Sequence, residues 1–304
     1  MLFFFADALM SFELLLVEHV AGKLITCAEL VIEKRCDSML ADNHVHLENG
    51  PYTLDWLEKF VRQADQVGVE ELGIVEHFYR FLEARPCLYN DEVAPKQSQR
   101  LEDYLELMAL AQQKGWPVRT GLEVDYVPGK EAAIRQALRG LPLDFVIGSV
   151  HWLGDWCFDT NPAAWEGRDL EAVYREYYAV LAQVVESKLF DILGHPGNIA
   201  YFGHRADLNV VTRLENEWLA RVKRHRICLE VNTGGLRRRA RSLFPRIDFL
   251  RRIRIANFDI SFASDAHFPE DVGYAFAETQ QLVKQINFDC ACRFRRRRQR
   301  LVRI

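Results

Sequence analysis

Seven short apolar runs, separated by longer amphipathic stretches, set the strongest limit on what this chain can become. They fall at 42–45, 72–75, 117–122, 144–148, 190–193, 227–231 and 258–263. Most are nearly continuous apolar runs, as strands covered on both faces should be. Between them, segments 53–66, 101–114, 170–187 and 210–225 bring apolar residues back every three or four positions, the helical period. Gly68 and Gly115 follow two of these helices, and Thr53 and Asp169 stand where two should begin. Strand, helix, strand, repeated about seven times, predicts parallel strands joined by helical crossovers. No short-period repeat, low-complexity block or long linker divides the chain, so one domain is expected from residue 39 onward.

Two architectures satisfy that alternation. An open doubly wound sheet gathers its ligands at one crevice between neighbouring strands. A closed barrel collects them from the ends of many strands. The residues after each strand discriminate between the two. They read Asn43-His44-Val45-His46, then Glu76-His77, Gly121-Leu122-Glu123, Gly148-Ser149-Val150-His151, Gly194-His195-Pro196 and Ser264-Asp265-Ala266-His267. Six strands end in histidine, glutamate or aspartate, and six of the nine histidines are among these residues. A single histidine at a strand end is more often an ordinary polar residue than a ligand. Six ends of ligand type are hard to reach by chance, and they favour the barrel.

The spacing has a chemical reading. Alternate residues of a strand share a face, so His44 and His46 can reach one metal ion, and so can Asp265 and His267. Neutral imidazoles and carboxylates suit Zn²⁺, Mn²⁺ or Fe²⁺ without selecting among them. A carboxylate such as Glu123 can bridge two ions.

The rest of the composition mainly excludes. With 49% hydrophobic and 27% charged residues the chain can bury a sizeable core. A formal net charge of −4 argues against a dedicated nucleic-acid binder. Arginines cluster at Arg237, Arg238, Arg239 and Arg241 and in a tail over residues 291–304. That tail reads as a solvated or partly disordered end rather than a nucleic-acid or lipid contact. Seven cysteines without a CxxC pair or regular spacing read as reduced thiols of a cytoplasmic protein, not as a sulfur-bound zinc site. Residues 1–38 are apolar but lack a basic start, and Asp7, Glu13 and Glu18 interrupt them. Neither signal peptide nor membrane span fits. They are set apart as an extension, either an added amphipathic helix or a stretch preceding a true start at Met39.

The segments Gly121-Leu122-Glu123-Val124-Asp125-Tyr126, Ser149-Val150-His151, Gly194-His195 and Ser264-Asp265-Ala266-His267, in this order and spacing, resemble the PHP family, named for its polymerase-associated and histidinol-phosphatase members. The resemblance covers residues 39–285 and is greatest to the histidinol-phosphatase-like members. It implies a distorted seven-stranded (β/α)7 barrel, assigned here to residues 39–290, with two or three divalent metal ions. One ion would be held by His44, His46, Glu123 and Asp265. A second would share Glu123 and add His151 and His195, and a third would take His77 and His267. Many members place a third histidine shortly after the HxH, where this chain reads Leu47-Glu48-Asn49-Gly50; either Glu48 is the substitute ligand, or the third site is weaker or fills only when substrate is bound.

The activity implied is hydrolysis of a small phosphorylated metabolite, L-histidinol phosphate first, by in-line attack of a metal-bridging hydroxide, with Glu123, Asp265 and His267 as the catalytic residues. Arg237, on the glycine-bearing turn after the sixth strand, is the expected phosphate anchor, with Arg205 a second; Arg238, Arg239 and Arg241 read as a solvated loop. Trp152 and Trp156 either wall the pocket or belong to the core. The rivals are a phosphoesterase of nucleotides or other esters, a metal-dependent amide or ring hydrolase, and a non-catalytic module. Hydrolases of that kind often bridge their metals with a modified lysine, and no strand end here carries one. Metal identity and oligomeric state are not legible.

Overall fold

The computed structural model describes residues 40–304. The expectations for residues 1–38 and for a start at Met39 lie outside the described residues. Seven parallel strands follow one another around a single sheet: β1 (Ala41–Val45), β2 (Glu71–His77), β3 (Val118–Asp125), β4 (Phe145–Ser149), β7 (Ile192–Leu193), β8 (Cys228–Asn232) and β9 (Ile260–Ala263). The sheet returns on itself just beyond β9, where Val45 forms a parallel bridge with Ala266 and the His46 N–H donates to the Ala266 carbonyl at 2.8 Å. The expected seven-stranded barrel is therefore present. It is distorted at β1, whose register against β2 slips between Asp42 and Val45, the stretch that carries His44. A two-stranded hairpin, β5 (Trp152–Leu153) and β6 (Trp156–Cys157), is inserted after β4.

The main crossover helices are α1 (Leu54–Gln66), α2 (Leu101–Gln113), α3 (Glu131–Ala137), α4 (Leu170–Ser187), α5 (Leu208–Val222), α7 (Ile247–Ile255) and α8 (Phe276–Gln285). A single helical turn, α6 (Gly234–Arg237), directly follows β8. Thr53, Asp169 and Asp207 each accept backbone N–H groups from the first turn of α1, α4 and α5, as N-caps do. Gly68 and Gly115 adopt φ of +74° and +78° after α1 and α2, the left-handed conformation that lets the chain leave a helix.

Apolar packing divides into an outer layer and a small inner core. Leu57, Phe60, Tyr104, Leu181, Trp218 and Phe249 fill the space between helices and strands. A separate cluster joins Val75, Phe145, Ile147, Ile192 and Cys228 to Cys292 and Phe294 from the chain's end. Gly73 and Gly121 leave room for the Phe145 ring, since a Cβ on either would lie within 2.9 Å of it.

The arginine-rich end is where expectation and structure part. It forms an ordered antiparallel hairpin, β10 (Cys290–Arg295) and β11 (Arg298–Arg303), not a loose tail beginning at 291. Phe294 packs its ring 5.7 Å from Phe145, Asn43 Nδ2 donates to the Cys292 carbonyl, and Arg293 pairs with the buried Glu71 at 2.9 Å. The turn at Arg296–Arg297 is held by Asp144, which accepts both backbone N–H groups. Apolar side chains between the arginines anchor the hairpin, so charge content alone misleads. Among the described residues no helix is long and apolar enough to cross a membrane, and the cysteines are free.

Candidate metal centre

The ends of β1, β2, β3, β4, β7 and β9 deliver their polar residues to one buried cluster. His44, His46, Glu123, His151 and His195 are buried, and Asp265, His77 and His267 are at most 20% exposed at the side chain. Two of these residues have backbone in the left-handed region, His195 at φ +26° and Asp265 at φ +54°. Such conformations are costly for non-glycine residues and persist where surrounding contacts impose them. Glu230 supplies one such contact by accepting the His195 N–H at 2.8 Å.

Glu123 is the hub. Its Oε2 lies 2.7 Å from His77 Nδ1, 3.5 Å from His44 Nε2 and 3.6 Å from His46 Nε2. Its Oε1 lies 2.8 Å from His195 Nε2 and 3.5 Å from His151 Nε2. Asp265 Oδ1 stands 3.9 Å and 3.7 Å from the ring nitrogens of His44 and His46. His267 Nε2 is 3.4 Å from Glu48 Oε1, and Glu48 also pairs with Arg80. The donors group as His46/His77/His267, His44/Glu123/His195 and His44/His46/Asp265.

His195 hydrogen-bonds Glu123 Oε1, but other close contacts in the cluster are not hydrogen bonds, as donors converging on a shared cation would be. Glu123 Oε2 and His77 Nδ1 are buried and close, yet neither has a hydrogen-bond partner. Orphaned buried polar atoms are rare and need an explanation. Ring nitrogens also converge on each other, His44 on His46 at 2.9 Å and His151 on His195 at 3.2 Å. The outward nitrogens fix the tautomers: His44 Nδ1 faces Glu230 at 2.7 Å and His151 Nδ1 faces Asp125 at 2.8 Å. Each then carries its proton on Nδ1 when neutral and turns an Nε2 lone pair inward, the carboxylate–histidine arrangement of metal sites. His267 Nδ1 donates to the Asp265 carbonyl at 3.0 Å, with the same consequence. The donor set fits divalent metal.

Electrostatics agree. Burial raises the Glu123 carboxyl, but the fields of His44, His77 and His151 outweigh it and hold the group well below its ordinary range. Burial lowers His46, reinforced by His77 and His267, so its ring stays neutral. Burial likewise lowers His77 and His151, yet neighbouring carboxylates, Glu123 first, carry them up to about 9 and about 10. A cluster this crowded with opposed charges is typical of a functional site.

Above the cluster opens a cavity of about 230 Å³, whose walls include Tyr79, Trp152, Asp159, Tyr201 and Arg238. Neither expected phosphate anchor lines it. Arg237 is turned away: its guanidinium donates to the Ser264 carbonyl at 2.6 Å and the Asp265 carbonyl at 3.1 Å, and it pairs with Asp271. Arg205 donates to the Ala240 carbonyl and borders a different pocket. Arg238, read from sequence as solvated, faces the cavity instead, its guanidinium 4.8 Å from the Tyr201 ring. α6 ends at Arg237, so consecutive arginines leave the turn in different directions. Of the two tryptophans, Trp152 walls the cavity, while Trp156 packs edge-on against Trp165.

Sequence reasoning missed Glu230, Asp125 and Asp159. Glu230 left a signal, a carboxylate within an otherwise apolar strand, and so did Asp125, two residues after Glu123. Asp159, in a loop, left none.

Comparison with known proteins agrees with this geometry. Residues 42–234 match the PHP domain. A probable histidinol-phosphatase of Deinococcus radiodurans is 32% identical over 252 residues, covering 81% of this chain and 94% of that protein. The histidinol-phosphatase of Bacillus subtilis is 28% identical, covering 77% and 96%. Among solved structures, histidinol phosphate phosphatase of Lactococcus lactis, complexed with zinc, L-histidinol and phosphate, shares the fold with a TM-score of 0.70 at 22% identity, covering 86% of this chain and 98% of that one. The chain belongs to the PHP family, among its histidinol-phosphatase-like members.

Proposed function

We propose that this chain is a metal-dependent phosphomonoesterase that hydrolyses L-histidinol phosphate to histidinol and phosphate. The observation that carries the reading is the position of Glu123, whose two carboxylate oxygens lie within 3.6 Å of nitrogens from five histidines at the foot of an open cavity. The substrate comes from the relatives, whose names specify histidinol phosphate.

Two or three ions, Zn²⁺, Mn²⁺ or Fe²⁺, would be held by this chain's residues. His44, His46, Glu123 and Asp265 form one set, and Glu123, His151 and His195 a second. His77, His267 and Glu48 form a third; the 3.4 Å approach of Glu48 to His267 supports its substitute role. When bound, divalent ions act as Lewis acids that make water nucleophilic near neutral pH and neutralise phosphate charge. The protein does the rest. Glu123 ties the sets together, Glu230 and Asp125 fix the rings of His44 and His151, and Arg238 offers a guanidinium fork to phosphate oxygens.

The test is phosphate release by the purified chain, supplied with Mn²⁺ or Zn²⁺, from histidinol phosphate beside nucleotides and sugar phosphates. Chelator-sensitive preference for histidinol phosphate is expected. Activity only on other esters would discard the substrate and keep the phosphomonoesterase; no release with metal bound would discard both.

A further inference from the structure

Among the described residues four carboxylates face the cavity, and three are engaged. Glu123 and Asp265 stand among the histidines, and Glu48 lies between Arg80 and His267. Asp159 is different. Its Oδ2 is 4.0 Å from the nearest imidazole nitrogen, His151 Nε2, and no lysine or arginine pairs with it among the described residues. Its Oδ1 accepts the Cys157 thiol at 3.1 Å. Burial and the neighbouring Asp159 push that thiol far up, so it remains a donor and holds the carboxylate in place. The Asp159 side chain is only 17% exposed. A carboxylate so enclosed, with no lysine or arginine partner and only the 4.0 Å approach of His151, would gain from a cationic ligand group that meets it directly.

Arg238 is its counterpart of opposite sign. It faces the same cavity, makes no ion pair among the described residues, and its Nε is buried without a partner. Among the described residues the cavity wall thus presents an arginine without a carboxylate partner and an aspartate without a lysine or arginine partner. That pair is complementary to a ligand with a phosphate at one end and an ammonium at the other.

We propose that Asp159 is a specificity-determining residue that binds the substrate's ammonium group and restricts the site to phosphate esters of amino alcohols. The inference rests on the phosphomonoesterase reading above and extends it. Selection follows from the hydrogen bond: an amine-bearing ester gains a charge-assisted hydrogen bond to Asp159 that an ester without the amine lacks.

The test compares histidinol phosphate with its des-amino analogue, and 2-aminoethyl phosphate with ethyl phosphate, in the native chain and in Asp159→Asn, with metal content measured throughout. In the native chain the amine-bearing member of each pair should have the higher kcat/KM. In Asp159→Asn that ratio should fall by roughly 10- to 100-fold, through KM rather than kcat, with full metal content. Asp159→Glu, which keeps the charge, should restore part of it. Esterase activity without amine preference in the native chain would overturn the proposal while leaving the phosphomonoesterase intact. Equal loss on both members of a pair, or loss of metal, would also overturn it, by placing Asp159 in the metal centre. A native chain inactive on every phosphate ester would remove the phosphomonoesterase reading and this proposal with it.

Discussion

Glu230 Oε1 lies 2.7 Å from Nδ1 of His44, with both side chains fully buried. The other carboxylate oxygen of Glu230 accepts the backbone N–H of His195 at 2.8 Å and the side-chain amide of Asn232 at 3.0 Å. One side chain on β8 therefore sets the tautomer of a ligand candidate on β1 and the backbone of another after β7. Glu230→Gln keeps the shape but removes the charge that holds the His44 proton on Nδ1. Metal affinity should fall by about 10- to 100-fold, the usual cost of losing such an outer partner. Competition with a zinc-selective chelator measures it, and an unaltered affinity would remove Glu230 from the centre's support.

Glu123→Gln addresses the bridge itself. If Glu123 is shared between two ions, its loss should release two together and lower kcat by about a thousand-fold or more. Metal content after dialysis, beside single-turnover phosphate release, tests both halves. Loss of one ion with activity retained would contradict the shared role.

Much of this architecture is legible in the sequence. A strand buried on both faces is nearly all apolar, and the polar residues that follow within a few positions mark a barrel mouth, which singles out His77, Glu123, His151 and His195. What escaped depends on direction rather than on type. Arg237 and Arg238 are identical in kind and adjacent, and only the end of the α6 turn decides which one meets the cavity. The arginine-rich end escaped for a related reason. Its charge conceals buried Ala291, Cys292 and Phe294, and buried Arg293 is compensated by Glu71, a partner more than two hundred residues away in sequence.

Those two arginines should separate cleanly in experiment. Arg238→Ala should raise KM by roughly 10- to 100-fold and weaken inhibition by inorganic phosphate, with little change in melting temperature. Arg237→Ala removes donors from the Ser264 and Asp265 carbonyls and breaks the pair with Asp271. It should cost about 1–3 kcal/mol of stability, or about 2–4 °C in melting temperature for each kcal/mol. A KM effect confined to Arg237→Ala would return the phosphate to the residue first expected from sequence.

Protons should leave as metal enters. Against the pull of burial, carboxylates raise His44 well above its ordinary value and bring His77 and His151 to about 9 and about 10. In the demetallated chain at pH 7.5 the rings of His77 and His151 are then protonated, and each must lose a proton before it can bind metal. Calorimetric titration with Zn²⁺ in buffers of different ionisation enthalpy should show release of about two protons, with affinity rising from pH 7 towards 9. Stability runs the other way in the demetallated chain. Because the folded-state values of His77 and His151 lie above that of free histidine, their stabilisation is complete below about pH 6.5 and is lost as the pH rises through 9 to 10. Its melting temperature should therefore fall across that window, while the metal-loaded chain, whose rings are already deprotonated, should lack this dependence. Zinc uptake without proton release at pH 7.5 would show that the histidines are neutral before metal arrives, and that Glu123 does not raise them as the geometry requires.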